Sequence, residues 1–270
     1  MRFVSFDTPE GPRAGLLRDR RVLPLEVDLL DLIGAGPLTS VAPADEEGIP
    51  IEDVRLLPPI ARPGKILCIG LNYREHAEEQ GKEPPETPTF FAKFANALRA
   101  PGAAVDLPAW SSKVDYEAEV AFVIGDRCKD APAEAALEHV AGYLLFNDLS
   151  ARDYQFKTPQ WMPGKTFDGA APCGPALVTR DEAGPHDAIG IELRLNGEPL
   201  QRSTTADLVH SIPELVAYLS MLMTLEPGDL VATGTPAGVG SLRNPPVWLK
   251  AGDEVVVSSP QLGELRTPIG

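Results

Sequence analysis

The chain has 270 residues, 43% of them hydrophobic, with a formal net charge of −15. That length gives one large domain, or a large one and a small one, with a sizeable core. The negative balance disfavours non-specific binding to nucleic acid or anionic membranes, and no apolar run reaches the roughly 18 residues of a membrane span.

The start, MRFVSFDTPEG, lacks the apolar region of a signal peptide, and Cys68, Cys128 and Cys173 are scattered without metal-ligand spacing. Both features fit a reducing cytoplasm, the expected location. With 28 Pro and 24 Gly, a loop-rich β fold is favoured over a helical bundle.

Residues 1–62 read as a small leading unit rich in strand. RFVSF alternates, GPRAGLLRDRRVLPL suggests two short strands around an Asp-Arg turn, and LEVDLLDLIG a short amphipathic helix. Residues 41–56 read as acidic loop or surface. A Pro-rich junction, RLLPPIARPGK, places the boundary near Pro63, with a larger unit over 63–270.

KILCIGL over 65–71 is a buried strand with Cys68 in the core. Asn72 is a candidate N-cap for a helix over 73–80, which Gly81 stops. His76 and Glu79 stand three apart, on one helical face, where a carboxylate orients the ring and raises its basicity. That pairing suits a general base acting on water, against the ordinary alternative of an incidental surface pair. Residues 82–88 are polar and Pro-rich, as a mobile lid would be. In PTFFAKFANAL, Lys93 reads first as a snorkelling lysine and second as a residue facing a site.

The segment VDYEAEVAFVIG carries the most chemistry. Glu117 and Glu119 point to one face of a strand, roughly 7 Å apart along the chain. A Glu-x-Glu pair on a strand is ordinarily a solvated face. Here it opens an apolar run, and a third carboxylate, Asp148, follows another apolar run in YLLFNDLS. Buried acids of this kind are costly without a positive partner. A divalent cation with open positions answers that need. Behind Asp148, SARDYQ and PGKTFDGAAPCGP supply Arg152, Gln155 and Lys165 in a turn-rich functional loop. Between these blocks, APAEAALEHVAGY reads as an amphipathic helix.

From residue 176 the pattern is β again: PALVTRDE, then a hairpin turning at Asn196-Gly197. A helix runs from Ile212 with Pro213 in its first turn, and a final hairpin closes the chain. Between them DLVATGTPAGVG carries Thr233, Gly234 and Thr235, whose hydroxyls and amides could hold a carboxylate or phosphate. His139 and His210 read as structural.

CIGLNYREHAEE, FFAKFANAL, VDYEAEVAFVIG, GYLLFNDLSARDYQ, GKTFDGAAPCGP and DLVATGTPAGVG, in this order over about 63–268, resemble the fumarylacetoacetate hydrolase family in its short bacterial form. The resemblance implies a β-rich α+β protein with a mixed β-roll core and a small N-terminal domain, commonly a homodimer. It also implies a Mg²⁺, Mn²⁺ or Ca²⁺ site at Glu117, Glu119 and Asp148, without the extra carboxylate of longer members, because Asn72 stands near that position. His76 and Glu79 match the water-activating pair. Arg152, Gln155 and Lys165 match the groups around the reacting carbonyl, and Thr235, beside Gly234, the residue holding the substrate's carboxylate. The preferred expectation is hydrolysis of an acylpyruvate-like 2,4-dioxo acid to pyruvate and a carboxylic acid. The alternatives are decarboxylation of oxaloacetate, isomerisation or hydration of a 2-hydroxy-dienoate from aromatic catabolism, and an inactive metal-binding scaffold.

Overall fold

The computed structural model describes residues 1–42 and 47–270. Part of the acidic loop expected over 41–56 therefore lies outside the described residues. The leading strands are β1 (Arg2–Thr8), β2 (Gly11–Arg18) and β3 (Arg21–Pro24), followed by helix α1 (Leu29–Ala35). Asp19 and Arg20 turn between β2 and β3 with φ of 47° and 60°, the left-handed pair a tight hairpin demands. Asp28 caps α1 by accepting a bond from the Asp31 amide at 2.7 Å. Short strands β4 (Ile49–Pro50) and β5 (Leu56–Leu57) complete this part.

The remainder supplies β6 (Ile66–Gly70), α2 (Arg74–Glu79), β7 (Thr89–Lys93), β8 (Leu98–Arg99), β9 (Val114–Asp115) and β10 (Ala118–Ile124). Then come β11 (Val140–Asn147), β12 (Ser150–Ala151), α3 (Arg152–Gln155), β13 (Ala171–Thr179) and α4 (Arg180–Ala183). The chain ends with β14 (Gly190–Leu195), β15 (Glu198–Thr204), α5 (Ile212–Leu222), β16 (Leu230–Ala232), β17 (Glu254–Ser259) and β18 (Gly263–Pro268).

Among the described residues, one mixed sheet runs β4-β3-β2-β1-β13-β11-β10-β16-β6-β7, with β5 beside β1 and β8 beside β13. The leading strands thus extend the same sheet through the β1–β13 pairing. A second sheet, β15-β14-β17-β18, packs on β10, β11 and β13. Burial between the two layers explains why β10 is apolar at nearly every position instead of alternating. This is the β-rich architecture expected. α5 opens with a capping box, Ser211 and Glu214 each satisfying the other's backbone. The 190–204 hairpin turns at Asn196 and Gly197, with φ of 53° and 85°.

Two local expectations are corrected. The helix read over 131–143 is a short 3₁₀ turn, Ala136–His139, followed at once by β11. Pairing of Val140–Asn147 with both β10 and β13 outweighs the helical propensity of the alanines. Nor does Asn72 cap α2; Tyr73 stands at that position without a side-chain bond. The Asn72 amide, fully buried, donates to the Thr233 and His210 carbonyls and accepts from the His210 N–H. It fastens the end of β6 to two loops. Among the described residues no helix is long and apolar enough to cross a membrane.

Candidate active site

Register builds the centre. β10 and β11 pair so that Ala118 faces Asn147 and Glu119 faces Phe146. The residues just outside this ladder, Glu117 and Asp148, therefore meet, and the Asp148 amide donates to the Glu117 carbonyl at 2.9 Å. Side chains of Glu117, Glu119 and Asp148 converge, each offering an oxygen within 4.8 Å of the others. All three are buried.

Three cations surround them. Lys165 Nζ lies 2.7 Å from Glu117 Oε2 and 2.8 Å from Asp148 Oδ2. Arg152 reaches Glu117 at 2.7 Å and Asp115 at 2.8 Å, and also donates to the Gln155 side-chain oxygen. Lys93 lies 2.7 Å from Asp148 Oδ1 and donates to the Ala170 and Lys165 carbonyls. It is thus a buried member of the centre and not the snorkelling lysine expected first, because four oxygens, including Leu149 O, replace its water.

Counting Asp115, four buried carboxylates stand against these three cations. Among the described residues no ion pair reaches Glu119, which accepts from the Gly234 amide at 2.9 Å. Burial, reinforced by the neighbouring Asp148 and Glu117 charges, holds its carboxyl well above the usual range. Glu117 goes the other way. Burial alone would raise it, but Lys165 and Arg152 outweigh burial and bring it to about 2. Lys165 is stripped of solvent, yet Asp148 and Glu117 raise it, so it stays an ammonium. A divalent cation beside Glu119 would supply the missing positive charge, and an all-oxygen donor set suits Mg²⁺, Mn²⁺ or Ca²⁺. The residues present fit such an ion.

Across the pocket from these groups is α2. His76 Nδ1 lies 3.1 Å from Glu79 Oε2, and Glu79 in turn accepts from the Gly238 amide at 3.1 Å. A carboxylate only accepts, so Nδ1 carries the hydrogen and Nε2 the lone pair. That lone pair faces the Gln80 side-chain nitrogen at 2.9 Å, and Lys82 donates to the Gln80 oxygen. His76, Gln80, Glu117, Glu119, Gln155 and Lys165 line one pocket, with Thr235 and Trp161 among the other walls.

Trp161 sits so close to Gly70 that a Cβ there would lie 2.4 Å from its ring. Gly234 has φ of 100° and lets its amide meet Glu119. Of the two threonines in that turn, Thr233 donates to the Val120 carbonyl and is structural. Thr235 accepts from Gln201, which leaves its hydroxyl hydrogen for the pocket. Cys68 has its thiol pushed far up by burial and by Asp148, consistent with core.

The structure brings together every site residue named from the sequence. It adds Asp115 and Gln80, and for Lys93 it shows the second of the two readings, a residue facing the site. Asp115 is fully buried and accepts from Arg152 and from the Gly240 and Ser241 amides, tying Arg152 to the glycine-rich loop. Its signal was the continued alternation Asp115, Glu117, Glu119; that of Gln80 was its place one turn beyond His76.

Residues 1–59 match the Rv2993c-like N-terminal family. Oxaloacetate tautomerase fahd2, mitochondrial, of Xenopus laevis is 46% identical over 219 residues, covering 80% of this chain and 69% of that protein. The crystal structure of 5-carboxymethyl-2-hydroxymuconate delta-isomerase from Mycobacterium smegmatis is 36% identical, covers 100% of this chain and 98% of its own, and superposes with a TM-score of 0.82. Fumarylpyruvate hydrolase from Pseudomonas aeruginosa, solved with Mn²⁺ and pyruvate, is 36% identical over 77% of this chain and 89% of its own, with a TM-score of 0.70. The fumarylacetoacetate (FAA) hydrolase C-terminal family matches residues 65–270, and the chain belongs to it.

Proposed function

We propose that the protein is a divalent-metal-dependent enzyme of small 2-oxo acids. Its reaction in this reading is proton transfer at the carbon beside the 2-oxo group, with keto–enol interconversion of oxaloacetate as the first case. One observation carries the reading. A single pocket is lined by a histidine, held by its own carboxylate, and by Glu117 and Glu119, on which the buried Asp148 converges. Mg²⁺ or Mn²⁺ held by Glu117, Glu119 and Asp148 would act as a Lewis acid toward a 2-oxo acid and acidify its C3–H. His76 Nε2 takes the C3 proton and returns it to oxygen, while Glu79 stabilises the imidazolium. Lys165 and Gln155 donate hydrogen bonds to the oxygen on which negative charge grows. Arg152 keeps Glu117 and Gln155 in place, and Thr235 holds the substrate carboxylate. The name of the Xenopus relative and the pyruvate and Mn²⁺ bound to the Pseudomonas one support the substrate class.

Hydrolysis of a 2,4-dioxo acid is the second reading, favoured by the same dyad, since His76 can deprotonate water as well as carbon. Lys165 and Gln155 would then face the tetrahedral oxyanion. The test is decay of the enol absorbance of oxaloacetate and of acetylpyruvate, with and without EDTA, with pyruvate and acetate quantified. Metal-dependent decay of enol-oxaloacetate without pyruvate formation upholds tautomerisation. Equal pyruvate and acetate from acetylpyruvate would move the assignment to hydrolysis, and pyruvate from oxaloacetate to decarboxylation.

A further inference from the structure

The pocket does not end at α2. It shares His76, Gln80, Arg152 and Phe156 with a second cavity whose far wall is Val239, Leu242 and Trp248. The inner pocket offers about 50 Å³. That is room for about three or four waters, enough for a carboxylate and a 2-oxo group but not for a chain. The outer cavity offers about 360 Å³.

The chemistry of the two spaces differs. The inner one is charged. The outer one is framed by Phe156 and Leu242, which are 65% and 41% exposed and so present apolar surface to it. Its charged groups do not build a second carboxylate site. Arg152 is turned inward to Asp115 and Glu117, and Lys113 lines the cavity together with Asp153, of opposite sign. Asp153 accepts from the Ser111 hydroxyl at 2.6 Å. Apolar walls leading out of a polar head pocket are the usual build of a site for an amphipathic small molecule.

We infer that the outer cavity seats an apolar or aromatic group on the far side of the substrate. The protein then takes 2-oxo acids bearing such a group at C3, beyond a four-carbon diacid. This rests on the inner pocket being the 2-oxo acid site. Phe156 and Gln80 stand at the neck, where the reacting carbon passes from one space to the other.

The experiment uses the Mn²⁺-loaded protein and two probes, the enol forms of oxaloacetate and phenylpyruvate, with wild type, Leu242→Asp and Phe156→Ser. Both substitutions are at exposed positions, so folding is retained. Calorimetry follows phenylpyruvate binding in parallel. The inference expects wild type to turn over both acids. It expects the ratio of kcat/KM for phenylpyruvate over oxaloacetate to fall about tenfold in each variant, with a matching rise in the phenylpyruvate Kd. An unchanged ratio overturns it, as does a wild type that turns over oxaloacetate alone. If neither acid reacts, the reaction assigned above fails and calorimetry decides the cavity. Phenylpyruvate binding weakened by Leu242→Asp then upholds the inference, and absent or equal binding overturns it.

Discussion

Lys93 Nζ lies 2.7 Å from Asp148 Oδ1, and neither side chain is exposed by more than 1%. The pair joins two separate stretches of the chain, the end of β7 and the turn after β11. Removing Lys93 would leave Asp148 with Lys165 alone and the Ala170 and Lys165 carbonyls without this donor, and breaking a buried pair in this way costs about 3–5 kcal/mol. Lys93→Met should therefore lower unfolding stability by an amount in that range, read from urea titration. A loss below about 1 kcal/mol would show that Lys93 is not the partner of Asp148.

Glu119 behaves in the opposite sense. Its buried charge has no ion pair among the described residues, so Glu119→Gln should raise the melting temperature of the metal-free protein. The same change should weaken Mn²⁺ binding at least tenfold by calorimetry, since it removes an anionic oxygen ligand. Unaltered Mn²⁺ affinity would remove Glu119 from the metal site.

The two glutamates also set a pH dependence. Glu119 has a folded-state value above that of the unfolded chain, so the native state binds this proton more tightly. Its contribution is fully present below the usual carboxylate range and is lost as pH rises through the folded value. Glu117, brought to about 2, contributes above the usual range and loses that contribution as pH falls. Chemical denaturation of the metal-free protein should thus show stability declining as pH rises from the usual carboxylate range up to the folded-state value of Glu119, and levelling off above it. Saturating Mn²⁺ should abolish that decline, because the cation replaces the proton. The same slope with and without Mn²⁺ would contradict the assignment.

Gln80 covers the lone pair of His76 and is itself held by Lys82. Substrate must displace that amide before His76 can act. Gln80→Ala should lower KM about threefold or more while leaving His76 essential. A kcat loss as large as that of His76→Ala would mean that Gln80 takes part in the chemistry instead of guarding it.

Gly70→Ala tests the packing beside the site. A methyl 2.4 Å from Trp161 forces the indole to move, and overpacking of this kind costs roughly 1–3 kcal/mol. A shift in tryptophan fluorescence with that loss of stability is expected; an unchanged spectrum would show that Trp161 is not seated on Gly70.

Much of this was legible in the chain because local pattern and fold agree. The apolar run after Glu119, the Asn196-Gly197 turn and the Ser211–Glu214 box each signal their element without help from distant residues. The carboxylates were legible because acids seldom open buried strands. Lys93 was not, since a lysine among aromatics looks the same whether its ammonium reaches water or Asp148. Only the register that places β7 near the turn after β11 distinguishes them. The segment 131–143 failed for the same reason: the pairing that makes it a strand is non-local.

The most direct test of the central claim is the rate of enol-oxaloacetate conversion, followed by its ultraviolet absorbance, in wild type and His76→Ala with Mn²⁺. The account predicts a Mn²⁺-dependent wild-type rate, abolished by EDTA, and a drop of about 10²–10⁴-fold in His76→Ala. A His76→Ala rate equal to wild type, or a wild-type rate indifferent to EDTA, would contradict it.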